Sequence, residues 1–193
     1  VGIPGTLGGL IWMNGGSMRR GIGESVSSVS IVDEMGSIRI LTRGECMFSY
    51  RSSVFQSMKA ILVSATLQCR RGSAPQIKAR MLQILRQRRK KFPRKLPNCG
   101  SVFVSGGELF DRFGPPGKVI EDLQLKGTRI GDAVVSPLHA NFFVNIGRAR
   151  AADMLLLIKQ VREAVYAHTG VWMEAEVRYV TPQAAIVPAH AVA

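Results

Sequence analysis

Cysteine is scarce. Cys46, Cys69 and Cys99 form an odd, widely spaced set that fits neither a disulfide framework nor a zinc site, and a reducing cytoplasm is the setting it points to. None of His139, His168 and His190 lies in a metal pattern such as His-Glu-x-x-His, so no metal is expected. No apolar run approaches the ~20 residues that span a bilayer. The start, Val1-Gly2-Ile3-Pro4-Gly5, has neither the basic nor the apolar region of a signal peptide. It also lacks an initiator Met, which reads as an internal piece of a longer protein. Ser101 sits outside any Gly-x-Ser-x-Gly elbow, which argues against a hydrolase nucleophile. A dinucleotide fingerprint and a Walker loop are missing too.

Acidic residues are also few. Asp and Glu number 13 against 26 Lys and Arg, a net charge of +13. Such an excess goes with nucleic acid, an anionic membrane or a phosphorylated ligand. It is concentrated between Arg70 and Lys95, where Arg70, Arg71, Lys78, Arg80, Arg86, Arg88, Arg89, Lys90, Lys91, Arg94 and Lys95 occur without one acid. This run reads as a solvated helix face and linker, or as a site for a diphosphate-bearing substrate or NADPH. Nucleic acid is disfavoured, because no aromatics are interleaved as a stacking platform requires.

The apolar pattern is that of a globular α+β protein. Val26–Val32, Ile38–Leu41 and Ala60–Leu67 read as strands rich in β-branched residues. Ser73 and Pro75 open a helix carrying Ile77, Met81, Ile84 and Leu85 at helical spacing, which ends before Pro93. Lys118–Leu123 reads as a short helix, and Arg129–Val135 and Ala140–Asn145 as strands. Ala151–His168 has Met154, Leu157, Ile158, Val161 and Val165 on one helical face and is ended by Gly170. Val171–Val180 alternates strictly, which puts Glu176 and Arg178 on the face of Trp172. The expected layout is a first domain over 1–87 that includes the basic helix, a linker over 88–97, a second domain over 98–181, and a frayed tail over 182–193.

Gly2-Ile3-Pro4-Gly5-Thr6-Leu7-Gly8-Gly9 offers successive backbone amides beside a hydroxyl, which can cradle phosphate oxygens or simply form a turn. Asn14-Gly15-Gly16 is a turn signal. Tyr50-Arg51-Ser52-Ser53-Val54-Phe55 sets an arginine beside an aromatic and two hydroxyls.

In order, these blocks and three more resemble the UDP-N-acetylenolpyruvoylglucosamine reductase (MurB) family. The others are Cys99-Gly100-Ser101-Val102-Phe103, Val135-Ser136-Pro137-Leu138-His139-Ala140-Asn141-Phe142 and Glu174-Ala175-Glu176-Val177-Arg178. The resemblance runs to about Val180. It implies the second half of a two-part FAD-binding domain followed by a C-terminal α+β substrate domain, with the first FAD subdomain absent. It also implies bound FAD, NADPH as hydride donor and UDP-N-acetylglucosamine enolpyruvate as substrate, in a cytoplasmic monomer. By motif match, Arg51, Ser101 and Glu176 are the catalytic residues. Gly2, Ile3, Pro4, Gly5, Thr6, Gly8, Gly9, Asn14 and Gly15 are the cofactor-binding set, and Tyr50, Lys91, Ser105 and His139 the substrate-binding set. Two stretches depart from the family pattern: Val104-Ser105-Gly106, where Ser105 replaces an asparagine, and Ser17-Met18-Arg19. The rivals are a non-catalytic module of the same fold, with its basic segment on nucleic acid, and a related flavin oxidase.

Overall fold

The computed structural model describes residues 1–17 and 20–193, so the departure at Met18 and Arg19 lies outside the described residues. The chain divides into two compact units, Val1–Leu85 and Arg86–Ala193.

In the first unit a short helix α1 (Leu7–Trp12) is capped by Thr6, whose Oγ1 accepts from Gly9 N–H at 3.1 Å. Two-residue strands β1 (Gly16–Ser17) and β2 (Arg20–Gly21) pair antiparallel. A β-carbon on Gly16 would lie 1.7 Å from the Arg20 carbonyl oxygen, so only glycine allows this approach. Strands β3 (Val26–Asp33), β4 (Ile38–Thr42) and β5 (Ala60–Leu67) form an antiparallel sheet in the order β4-β3-β5, as their β-branched runs predict. The β3–β4 turn is fixed by Asp33, whose Oδ1 accepts from Met35 and Ser37 N–H. One sheet face, with Val29, Ile31 and Leu41, packs with Ile11, Cys46 and Phe55 into a core. On the other face Ile38, Ile40, Ile61 and Val63 are exposed.

Helix α2 (Ala74–Lys91) crosses the unit boundary. It begins and ends where Ser73 and Pro93 predict, but it buries no residue: Ile77 and Met81 are exposed and Ile84 and Leu85 half-buried. Ala, Gln, Lys, Arg, Met and Leu are strong helix formers, and Arg88–Lys91 in the last turn suit the dipole there. Propensity accounts for this helix without burial of its apolar stripe. Residues 88–91, expected in a linker, are thus its last turn.

The second unit continues with β6 (Asn98–Ser101), α3 (Gly107–Phe113), α4 (Pro116–Asp122), β7 (Arg129–Ile130), β8 (Ala133–Val135), β9 (Phe142–Asn145), α5 (Ala151–Thr169), β10 (Arg178–Val180) and β11 (Ile186–Pro188). Among the described residues β6-β9-β8-β7 make one sheet. Leu157, Ile158, Val161 and Val165 of α5 share a core with Val102, Phe103, Ile120, Val135 and Phe143. Gly170 ends α5 in the left-handed conformation, φ +71°.

Three expectations are corrected. Arg129–Val135 is a hairpin, because Gly131 turns at φ +54° and Asp132 pairs back to Arg129 at 2.6 Å. Within 171–180 the alternation holds as burial, with Val171, Met173 and Ala175 inside and Trp172 and Glu174 outside, but the regular ladder is confined to β10. Residues 182–193 are not frayed: β11 pairs with β10, and Ala189 is buried in the core. Alanine and proline hide this return from pattern reading.

Candidate functional site

The first unit assembles the glycine-rich segment and the Tyr-Arg block through side-chain bonds to backbone. Asn14, at φ +42°, donates from Nδ2 to the Ser49 carbonyl at 2.7 Å, and its Oδ1 accepts from Gly23 N–H at 3.0 Å. Ser53 Oγ and Gln56 Nε2 both donate to the Trp12 carbonyl, at 2.6 and 3.2 Å. Trp12 Nε1 donates to the Phe55 carbonyl at 2.9 Å. The C-terminus of α1 is thereby pinned beside residues 49–56.

Arg51 stands at the tip of this arrangement. Ser49 and Ser52 exchange backbone hydrogen bonds at 3.1 and 3.2 Å, so Tyr50 and Arg51 are the central pair of a tight turn. Arg51 has φ +53°, a conformation that glycine takes freely and an arginine takes at a cost of about 1 kcal/mol. Gln56 Nε2 holds the Arg51 carbonyl at 2.9 Å, and the guanidinium lies 5.4 Å from the centre of the exposed Tyr50 ring. Strain kept on a polar residue is typical of a functional turn.

Gly2, Ile3, Pro4, Gly5 and Thr6 are exposed, Gly8 half-exposed and Gly9 exposed. A β-carbon on Gly5 or Gly8 would meet nothing within 4 Å, whereas on Gly15 it would lie 2.6 Å from Leu10. Packing within the chain therefore accounts for glycine at 15 but not at 8, and the open backbone at 5–8 suits the close approach of an outside group.

In the second unit the segments that carry Ser101 and Glu176 run side by side. Phe103 and Ala175 form an antiparallel bridge, Glu176 N–H donates to the Val102 carbonyl at 2.8 Å, and Val104 N–H to the Glu174 carbonyl at 2.9 Å. Both residues are half-buried. The strand bearing Ser101 is clamped by Asn141, which is buried. Its Oδ1 accepts from Phe103 N–H and its Nδ2 donates to the Phe103 carbonyl, both at 2.9 Å, while its own carbonyl accepts from Val102 N–H at 2.8 Å. Asn141 lies within the Val135–Phe142 block without being among the site residues that the resemblance implies; a short amide buried beside a strand has no signature in one sequence.

Lys91 and His139 are also brought together. The His139 ring stacks on Phe92 at 5.4 Å between centroids, and Lys91 Nζ lies 5.9 Å from the centre of the same ring. Burial, then the charges of Lys91 and Lys126, lower the His139 pKa to about 4. His139 is therefore neutral at pH 7, with Nδ1 accepting from Asn141 N–H at 3.2 Å. Ser105 is half-buried after Val104. No helix among the described residues is long and apolar enough to cross a membrane.

Comparison with known proteins extends this picture. Residues 92–180 match the model of the "UDP-N-acetylenolpyruvoylglucosamine reductase, C-terminal domain" family. The chain is 48% identical over 192 residues to UDP-N-acetylenolpyruvoylglucosamine reductase 1 of Corynebacterium glutamicum, covering 100% of this chain and 57% of that protein. It is 40% identical to the reductase of Protochlamydia amoebophila, over 93% of this chain and 58% of the relative. The crystal structure of the Thermus caldophilus reductase (MurB) superposes with a TM-score of 0.70 at 31% identity, over 84% of this chain and 58% of that one. The present chain thus spans less than two thirds of the length of these relatives. Along its own length the chain is similar to UDP-N-acetylenolpyruvoylglucosamine reductases (MurB), and its residues 92–180 match their C-terminal domain.

Proposed function

We propose that the natural protein containing this chain reduces UDP-N-acetylglucosamine enolpyruvate to UDP-N-acetylmuramate, a step in peptidoglycan precursor synthesis, with FAD as cofactor and NADPH as hydride donor. The observation that carries the reading is the antiparallel contact between the segments carrying Ser101 and Glu176, in which Glu176 N–H donates to the carbonyl of Val102, the residue after Ser101, in a chain that also keeps Arg51 in a strained turn. The open glycine backbone at 5–8 fits a cofactor that approaches main chain.

The flavin, when bound, supplies hydride to the enolpyruvyl double bond. The chain's own residues hold the substrate and manage its proton. Ser101 donates its hydroxyl proton to the carbon next to the one that receives hydride. A serine hydroxyl is a weak acid, so it works only when positioned against a stabilised negative charge. Arg51 provides that stabilisation at the substrate carboxylate, where its planar fork suits two oxygens. Glu176 orients or protonates the same enolate. The neutral His139 and the cationic Lys91 serve the substrate's polar and diphosphate groups, and Tyr50 and Ser105 complete the substrate set. The pathway takes place in the cytoplasm, with the enzyme as a monomer.

The test is the visible spectrum of the natural full-length protein. A flavin band that bleaches with NADPH and recovers without oxygen on adding the enolpyruvyl substrate supports the reading. A protein that cannot be loaded with FAD sinks it, and a non-catalytic basic module built around α2 then leads.

A further inference from the structure

The chain beyond β10 returns to the segment that carries Glu176. At Thr181–Ala185 it reverses: Thr181 N–H donates to the Ala185 carbonyl at 2.8 Å, Ala185 N–H to Thr181 Oγ1 at 3.1 Å, and Ala184 takes φ +61°. β11 then pairs antiparallel with β10, and a 3-10 turn covers Ala189–Ala191. This turn makes two bonds to the neighbours of Glu176. Ala189 N–H donates to the Val177 carbonyl at 3.1 Å, and His190 Nδ1 accepts from Ala175 N–H at 2.8 Å. Ala189, only 3% exposed, anchors the turn in the core.

Glu176 is thus flanked by residues gripped from both sides. Val102 and Val104 hold the segment on one side, and the 189–190 turn holds Ala175 and Val177 on the other. Ala175 is itself buried, so its N–H depends on a protein acceptor. A buried donor that loses its acceptor keeps the full cost of desolvation, and the backbone shifts to relieve it. An imidazole accepts at Nδ1 only when that nitrogen carries no proton.

We infer that His190 is a positioning residue for Glu176: its Nδ1 fixes the Ala175 amide and with it the backbone that aims the carboxylate. The inference rests on the function proposed above for Glu176. It separates the two halves of the reaction, because Glu176 acts on the enolpyruvyl substrate and not on NADPH.

The experiment uses the natural full-length holoenzyme with His190→Ala and His190→Asn, whose Oδ1 can take the place of Nδ1. Stopped-flow absorbance follows flavin reduction by NADPH, then reoxidation by UDP-N-acetylglucosamine enolpyruvate. Amide exchange is measured on residues 174–177. For His190→Ala, reoxidation slows by about 10- to 100-fold, flavin reduction keeps its wild-type rate and the Ala175 amide exchanges faster. His190→Asn restores both. Wild-type reoxidation and exchange in His190→Ala overturn the inference, as does a His190→Asn that regains protection at Ala175 without regaining rate. A wild-type enzyme whose reduced flavin ignores the enolpyruvyl substrate would sink the proposed function instead, while the exchange comparison still tests the His190 bond.

Discussion

The two units meet the demand for a core in different ways. Arg86–Ala193 sandwiches its sheet against α5 and draws Val102, Phe103, Ile120, Phe143, Leu157 and Val161 into one cluster with almost no exposed surface. Val1–Leu85 buries one face of its sheet, on a smaller cluster, and leaves Ile38, Ile40, Ile61 and Val63 in the open on the other. Side-chain bonds to main chain at Asn14, Ser53, Gln56 and Trp12 tie its loops together, as those of Asn141 and His190 do in the second unit. Burial on this scale is worth roughly 1.5–3 kcal/mol for each large side chain, whereas a net hydrogen bond contributes about 1 kcal/mol. The first unit is therefore the softer body, and it carries the strained turn and the open glycines. Each unit has one tryptophan, Trp12 and Trp172, so fluorescence from single-tryptophan variants can follow each separately.

The largest break in this comparison should come from Phe143→Ala. It empties a fully buried site that packs edge-on against Phe103 at 5.9 Å and should cost about 3–5 kcal/mol. Urea denaturation read at Trp172 should show a much lower midpoint, with a smaller change at Trp12. Next is Arg51→Gly. Removing the guanidinium should lower kcat by about 10²–10³-fold. Relieving φ +53° should leave the Trp12 transition unchanged or raise it by about 0.5 kcal/mol. Loss of activity together with loss of stability would show that Arg51 is structural.

A smaller effect is expected from pH. Burial holds the His139 pKa at about 4 in the folded second unit, against about 6.5 in an unfolded chain. The unfolded state therefore binds the extra proton first. Stability attributable to His139 is complete above pH 6.5 and declines as pH falls through 6.5 towards 4. Protein with His139→Asn should lose less stability over that window, as denaturant midpoints at Trp172 will show. Smallest of all is Ile38→Thr with Ile40→Thr. Both positions are largely exposed, so in this 193-residue chain the pair should move the Trp12 midpoint by no more than ~0.5 kcal/mol per site.

What could be read in the sequence follows the same division. Strands that bury one face announce themselves by composition, and α5 by its apolar face and Gly170, so the bounds at Ala60–Leu67 and near Ala151–Thr169 were legible. The family motifs single out Ser101 and Glu176, and the segments that carry them run side by side. The left-handed conformation of Arg51 was not legible, because a turn's φ depends on Gln56 and Ser49 as much as on the residue itself. Nor was the role of Asn141 or His190. Each bonds main chain 38 or 15 residues away, and nothing local to either position records that pairing. The hairpin at 129–135 was missed because Gly131-Asp132 interrupts a run otherwise rich in strand formers.

Strand β5 has one further consequence. It lies at the edge of its sheet and reads Ala-Ile-Leu-Val-Ser-Ala-Thr-Leu, with no charge and no proline. Such an edge is a template on which a second copy can add a strand. Mutual repulsion at +13 opposes that encounter, and its range shrinks from ~30 Å in 0.01 M salt to ~3 Å in 1 M. Rising salt therefore weakens the charge repulsion that keeps two such edges apart.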